Sequence, residues 1–409
     1  MSDKKVVVIG GGAAGMLAAA TAGSRGIDVI LIEKNEILGK KLLITGKGRC
    51  NITNDCDIEE LIENVPVNGK FLYSAFYTFT NIDVINLFNK LGIKTKVERG
   101  QRVFPVSDKS IDVVKALEKY MKQNNVKVVK GEVTKVVSKD STISNVILKD
   151  GRTFKCDSVI VATGGASYPQ TGSTGDGYKF AKENGHKVTK IMPSLVPLEV
   201  KEKWISSLRG LTLRNVSIKV LNKDNKKIYD DFGEMNFINS GVGGPIILSA
   251  SSYMGDIEKE KYKIIIDLKP ALSEEKLDKR IQRDFNKYST KYFLDSLKDL
   301  LPKKLIPVII ELSKISPNKV VNQISKEERK NLVKLFKNIT LEVKKYRPIK
   351  EAIVTSGGVK IDEINPSTME SKIVKGLFFA GEVIDVDAYT GGFNLQIAFS
   401  TGYLAGMNC

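Results

Sequence analysis

The chain of 409 residues contains one histidine, one tryptophan and four cysteines, and each shortage removes a class of chemistry. The lone His186, in Asn184-Gly185-His186-Lys187, reads as the end of a helix and not as a base. With no second histidine, Ser-His-Asp hydrolysis would have to run through it, and histidine-rich metal sites are excluded. Cys50, Cys56, Cys156 and Cys409 show neither CxxC spacing nor paired clusters. That argues against a disulfide framework or a zinc site and predicts a reduced, cytoplasmic location. Neither HExxH nor GxxxxGK followed by Ser or Thr occurs. The one long weakly polar stretch, Val6 to Gly23, is broken by glycines and makes a poor membrane span or signal peptide. Acidic residues number 47 against 64 Lys and Arg, a net charge of +17. The lysines are spread along the chain among Asp, Glu and Asn, without the arginine clusters and interleaved aromatics of a nucleic-acid groove. A solvated basic surface is therefore expected, and a nucleic-acid partner is disfavoured.

What the chain does have is glycine in patterned places. Lys5 to Ile9 reads as a buried strand running into Gly10-Gly11-Gly12-Ala13-Ala14-Gly15 and an alanine-rich helix, and the next strand, Asp28 to Ile32, closes on Glu33 and Lys34. Between a strand and a helix, this GxGxxG spacing is a dinucleotide fingerprint. Gly10 allows the tight turn, Gly12 lets the backbone approach a pyrophosphate, and Gly15 lets the helix pack closely on the strand. The helix start offers N–H groups and a positive dipole end to phosphate. Glu33, 18 residues after Gly15, is spaced to accept from ribose hydroxyls.

Three further segments extend the candidate cofactor site. Gly39 to Asn54 mixes small residues, cations and amides in a way that no amphipathic element needs. It is expected to lie along the cofactor, with Gly48, Arg49 and Asn51 near the pyrophosphate or the ring edge and Lys40 or Lys41 adding positive charge. Cys50 inside it is a cofactor-lining candidate but reads chemically as a packing thiol. Val159 to Ala166 is a strand ending in the small loop Thr163-Gly164-Gly165, where backbone can pass close to an adenine-ribose half, and Val133 joins this set. The glycine-rich Tyr168 to Gly177 either borders a substrate cavity or caps a helix through Asp176. Near the C-terminus, the strand before Gly381 and Glu382 leads to Thr390-Gly391-Gly392-Phe393-Asn394-Leu395-Gln396, which opens the last helix. There, backbone N–H groups and the helix dipole can face a flavin N1 and C2 carbonyl, where negative charge gathers on reduction. Asp385 and Asp387 serve either the ribityl chain or the loop's own backbone. Together the two ends predict one bound FAD.

The first 190 or so residues alternate strands and helices, which predicts an α/β sheet with crossover connections. Val126 to Val137, Thr142 to Leu148 and Ser158 to Ala162 are further strands, with a hairpin turn at Lys149-Asp150-Gly151-Arg152. The expected division is an FAD-binding Rossmann-like domain over residues 1–192 and 346–409, a β-barrel insert over 193–272 and a helical subdomain over 273–345. In the barrel stretch, Leu211 to Val220 alternates with one slip at Asn215; in the helical stretch, Ser325 and Glu328 are spaced as a capping box. Glu351 to Thr355 reads as a strand on return to the first domain.

Stretches of this sequence resemble the HI0933/YhiN-like family of bacterial flavoproteins, which has members named aminoacetone oxidases and bile-acid reductases. They are GGGAAG from Gly10, GKKLLITGKGRCNITN from Gly39, ERGQRVFPVSDKS from Glu98, ATGGASYPQTGSTGDGY from Ala162, GEMNFINSGVGGPIILSAS from Gly233 and the block from Thr355 to Gly402. The resemblance spans nearly the whole chain. It implies a Rossmann-like FAD domain built from both termini, with a β-barrel and helical insert covering the flavin. Two departures stand out. Lys47 takes a place where a glycine is expected, and Asn239-Ser240-Gly241 replaces a histidine-bearing stretch, so the substrate of a histidine-bearing relative does not transfer.

The expected activity is that of an FAD-dependent oxidoreductase passing a hydride through flavin N5 between a small molecule and a second partner. Only one dinucleotide fingerprint is present, so NAD(P)H would bind transiently as co-substrate, or O2 would accept the electrons; both stay open. Two rivals remain: a flavin-dependent RNA-modifying enzyme, as the fold and charge allow, and a redox-sensing flavin module without turnover. No residue is assigned as catalytic acid or base, and the oligomeric state is unread.

Overall fold

A computed structural model describes residues Lys4–Cys409. The chain divides into two compact units, one running to Ser194 and resuming over Pro348–Cys409, the other formed by Leu195–Arg347. Each has its own hydrophobic core.

The first unit is built on a five-stranded sheet in the order Leu377–Phe379, Ser158–Val161, Lys5–Ile9, Asp28–Glu33, Lys127–Lys130, with every neighbouring pair parallel. The inner strands are near-continuous apolar runs, as a parallel sheet covered on both faces requires. Leu377–Phe379 forms one edge, so both ends of the chain enter one sheet. The predicted strand over 126–137 is two strands: Lys127–Lys130 stays in this sheet, and Val133–Lys139 joins Thr142–Leu148 and Thr153–Lys155 in a three-stranded antiparallel unit. The turn at Lys149 to Arg152 closes as expected, with the Gly151 N–H donating to the Leu148 carbonyl at 3.1 Å. Glu351 to Thr355 is not one strand; Ile349–Glu351 is a helical turn and Val354–Ser356 pairs with Met192–Ser194.

The first helix, Ala13–Ser24, lies against the last, Phe393–Asn408. A Cβ at Gly402 would stand 2.5 Å from the Ala14 carbonyl oxygen, and one at Gly406 2.5 Å from that of Ala18. The two contacts advance in the same sense, so the helices run parallel. Gly402 is nine residues into its helix where Ala14 is one into its own, so the last helix begins about 12 Å before the first along their common direction.

In the second unit, six strands close a barrel in the order Leu198–Val200, Gly241–Gly243, Lys227–Ile238, Thr212–Leu221, Lys263–Asp267, Ile339–Tyr346. The predicted slip at Asn215 is a bulge: the register of Thr212–Leu221 shifts between Leu213 and Val216. Helices Glu274–Lys287, Ile306–Ser313 and Lys326–Lys337 lie in the stretch read as helical, but its last part, Ile339–Tyr346, is the strand that closes the barrel. The helices are thus an insertion between two neighbouring barrel strands. The capping box is present: the Ser325 hydroxyl accepts from the Glu328 N–H at 3.1 Å, and the Glu328 carboxylate accepts from the Ser325 N–H at 2.7 Å. Ser325→Ala should cost about 1 kcal/mol of unfolding free energy, measured by urea denaturation, with no change in cofactor content.

Candidate functional site

The glycine loop after the first strand is shaped by contact. Gly10 sits at φ 105°, and a Cβ there would stand 2.6 Å from the Ala162 carbonyl oxygen; a side chain at Gly15 would collide with the Gly10 carbonyl. Gly12 is different. It is the N-cap of the first helix, no side chain caps that end, and the space where its Cβ would point is empty. An uncapped helix start facing open space is what a phosphate needs. Ala13 and Ala14 are the buried first residues of that helix.

Glu33 closes the second strand of the motif. Its carboxylate accepts from the Gly11 N–H at 2.6 Å and from the backbone and side-chain N–H groups of Asn35 at 2.8 and 2.7 Å. A carboxylate has about four acceptor positions, so room remains for one ribose hydroxyl. The Glu33 carbonyl also accepts from the Gly131 N–H at 2.9 Å, which brings the strand beginning at Val133 to this end of the sheet. Lys34 is committed to Asp176 at 2.5 Å and to the Thr174 hydroxyl at 2.6 Å. Asp176 is therefore an ion-pair partner, not a helix cap.

The Gly39 to Asn54 segment distributes its polar groups differently from the sequence expectation. Lys40 is exposed, whereas Lys41 pairs with Glu382 at 2.7 Å and donates to the Ser167 hydroxyl at 2.7 Å. Burial pushes the Glu382 carboxyl up, but the Lys41 ammonium and the hydrogen bonds from Thr355 N–H and the Ser167 hydroxyl outweigh it, so Glu382 stays below the ordinary range. Arg49 is held by Glu98 and Asp108, each at 2.5 Å, and lies 4.2 Å over the Phe104 ring. Of the expected cations, Lys41 and Arg49 are thus paired within the protein, whereas Lys40 is not. Cys50 is fully buried and desolvation lifts its thiol to about 12, so it packs and does not react. Gly48 and Lys47 are left-handed, at φ 85° and 59°, which is the physical reason a glycine would suit position 47.

At the C-terminal motif, Gly381 and Glu382 follow the edge strand, and the last helix begins at Gly392 with φ 106° and no side-chain cap. A substituent at Gly392 would collide with the Thr53 backbone. The approach loop is clamped from both sides. The Asn394 amide accepts from the Ala388 N–H at 3.0 Å and donates to the Ala388 carbonyl at 2.7 Å, and Asn54 donates to the Gly391 carbonyl at 3.0 Å. Gln396, fully buried, accepts from the Thr53 hydroxyl at 2.6 Å and donates to the Phe79 carbonyl at 3.1 Å. Phe393 is buried and Leu395 half-buried in the same turn. Asn54, Gln396, Ser167 and Thr355 were not singled out from sequence. All four lie inside the quoted motifs, but their partners are far along the chain.

The FAD implied by these motifs can be tested against what the site leaves unfilled. The two parallel helices present uncapped starts about 12 Å apart along their direction, a span suited to a dinucleotide and not to a single phosphate. Three buried atoms of the predicted set, Asn51 Oδ1, Thr163 Oγ1 and Asp387 Oδ1, have no hydrogen-bond partner among the described residues. Each such orphan costs about 1 to 3 kcal/mol unless a ligand or water satisfies it. Gly164 and Gly165 follow Thr163, and Gly165 is pressed against the Thr355 hydroxyl, which accepts from Ala166 N–H at 2.8 Å. These residues fit FAD. The Gly12 end and Glu33 would hold its adenosine diphosphate half, and the Gly392 end its ring.

The family profile described as HI0933-like protein Rossmann domain matches residues 4–408. The chain belongs to the HI0933-like family. This is a family of FAD-binding Rossmann oxidoreductases. The chain is 32% identical over 406 residues to a 3-dehydro-bile acid delta(4,6)-reductase of Clostridium scindens, covering 98% of each chain. It is 32% identical over 412 residues to a ribosomal RNA dihydrouridine synthase of Haemophilus influenzae, covering 98% of this chain and 97% of that one. Among solved structures, 3-ketosteroid delta1-dehydrogenase from Sterolibacterium denitrificans is similar in fold, with a TM-score of 0.53, 13% identity and 98% of each chain covered. No helix of this HI0933-like chain's described residues is long and apolar enough to cross a membrane.

Asp387, in the loop before the last helix, is 1% exposed and accepts from the Ser194 hydroxyl at 2.7 Å. Desolvation lifts its carboxyl from 3.8 to about 6, with the hydroxyls of Ser194 and Ser356 pulling down and Asp385 and Glu382 pushing up. The folded state therefore holds this proton more tightly than the unfolded chain. Stability falls as pH rises through the window between about 4 and 6, and the full penalty, about 3 kcal/mol, is present above it. Asp387→Asn keeps an acceptor for Ser194 and removes the titration. The flavin-free variant should exceed the parent in urea stability by up to about 3 kcal/mol near pH 8, and the gain should vanish toward about pH 4. Equal stability at both ends would contradict a buried titrating carboxyl.

Proposed function

We propose that this HI0933-like protein is an FAD-dependent reductase that adds hydrogen across a carbon–carbon double bond conjugated to a carbonyl, with NAD(P)H as the transient electron donor. Bound FAD in its reduced form supplies the hydride from N5. The observation that carries the reading is the uncapped start of the last helix at Gly392, clamped by Asn54, Asn394 and Gln396. Its fixed N–H groups and positive dipole end would meet the negative charge that collects on a reduced ring. Gly12 binds the pyrophosphate, and Glu33 orients the ribose. The names of both sequence relatives support the substrate chemistry, since a delta(4,6)-reductase and a dihydrouridine synthase each saturate such a bond.

The test is an anaerobic titration of the FAD-loaded protein with NADH and then NADPH, followed at the flavin visible band. Stoichiometric bleaching, reversed by a 3-keto-4,6-diene steroid, is the expected result. A band that persists with both nucleotides speaks against a reductase and for an oxidase fed by its own substrate. A second reading, in which the conjugated bond is that of a uracil in RNA, is favoured by the net charge of +17 and by the Haemophilus influenzae relative. Uridine-containing RNA would then gain two hydrogens per modified base, as read by mass spectrometry.

A further inference from the structure

The positive charge is not evenly shared. Between Leu195 and Arg347 there are 31 Lys and Arg against 20 Asp and Glu, a net +11 of the chain's +17 in the smaller of the two units. Within that unit the fold gathers two basic segments far apart in sequence. The helical turn Lys203–Leu208 leads to Arg209, and the turn Lys303–Leu305 packs against it, with the Lys304 ammonium donating to the Arg209 carbonyl at 2.7 Å. Lys203, Arg209, Lys303 and Lys304 are all exposed, and no carboxylate pairs with any of them among the described residues. Glu202, the acid beside Lys203, turns inward and accepts from the Glu342 N–H at 2.9 Å. Arg214, also exposed, follows in sequence on the barrel bulge. Half-buried Trp204, the only tryptophan, lies in the same turn.

We propose that this face, formed by Lys203, Arg209, Lys303 and Lys304, docks the phosphate backbone of a structured RNA. The proposal rests on the second reading above. Converging cations without acidic partners repel one another, and a row of phosphates relieves that repulsion while releasing counterions. Arginine and lysine together match phosphate geometry, the first as a fork and the second as a point charge. Such contacts would position the RNA and carry no sequence information, so the choice of uridine would fall to the flavin site.

The test uses the FAD-loaded full chain, a fluorescent RNA hairpin with uridines in its loop, and anisotropy across a series of potassium chloride concentrations. The comparison is the combined variant Lys203→Gln, Arg209→Gln and Lys303→Gln, with Lys304 left in place to hold the Arg209 turn. Flavin content and far-UV circular dichroism verify its fold. The parent should bind with steep salt dependence, and the variant's slope of log affinity against log salt should be smaller by about 2 to 3. No binding by the parent overturns the proposal. Equal slopes for parent and variant overturn this face as the site, even if mass spectrometry finds dihydrouridine in the RNA. Loss of slope without dihydrouridine leaves the docking face standing and defeats the second reading instead. Binding to phosphatidylglycerol vesicles in place of the hairpin assigns the face to a membrane surface and overturns the proposal.

Discussion

Gly12→Asp should leave a folded protein that has lost FAD. The empty space at the Gly12 Cβ means that a side chain enters without displacing any protein atom, so the fold has no steric reason to fail. Aspartate is also a favoured N-cap, where glycine supplies no side-chain acceptor, and the helix dipole adds to the benefit. The flavin-free variant should therefore match or exceed the parent in thermal stability, by a few tenths of a kcal/mol. The same carboxylate would stand where the pyrophosphate must approach and would repel it. Stoichiometric flavin in the purified variant would remove the N-terminal site from the reading. A collapse in stability would show that the space at Gly12 is not open.

Gly392→Val should fail for the opposite reason. Gly392 is left-handed at φ 106°, and its Cβ would run into the Thr53 backbone, which cannot swing aside as a flexible side chain would. The backbone conformation alone costs a β-branched residue about 1 to 3 kcal/mol, and the collision adds to it. The last helix, the Thr53 to Gln396 hydrogen bond and the Asn54 clamp on Gly391 all meet here. The variant should lose flavin and melt at a lower temperature, with both measured on one preparation. An unchanged melting temperature together with full flavin would refute both the packing account and the cofactor role.

The pair separates binding from folding. On the proposed reading Gly12 serves the ligand and not the fold, so its replacement should harm the holoenzyme alone. Gly392 is needed by the packing and, on the same reading, by the ligand as well. Comparing flavin content with flavin-free stability in each variant tells which description holds.

Sequence was most informative where a rule is local. The Gly10 to Gly15 turn, the strand to Glu33, the bulge near Asn215 and the Ser325 capping box each depend on backbone geometry within a few residues, and the fold contains all four. The strand Ile339–Tyr346 was missed because its neighbours in the barrel, Leu198–Val200 and Lys263–Asp267, are remote, and its own alternation follows a long lysine-rich helical stretch. Arg49 was expected near the pyrophosphate or the ring edge because its cation sits among small residues near the fingerprint. Its partners, Glu98 and Asp108, are 49 and 59 residues away and carry no local mark.

The sequence alone thus determined that the chain binds a dinucleotide in a Rossmann frame drawn from both termini, since glycine spacing and apolar runs are set by covalent geometry and strand burial. Tertiary structure alone decided which polar groups remain free for that ligand. Lys41 was spent on Glu382, 341 residues on, and Arg49 on two carboxylates, while Asn51, Thr163 and Asp387 each kept a buried oxygen unpaired. Tertiary packing likewise joined Arg209 to Lys304 across 95 residues. A local motif fixes where backbone can go, but a charge chooses its partner only after the chain has closed, because electrostatic pairing depends on distance in space and not along the sequence.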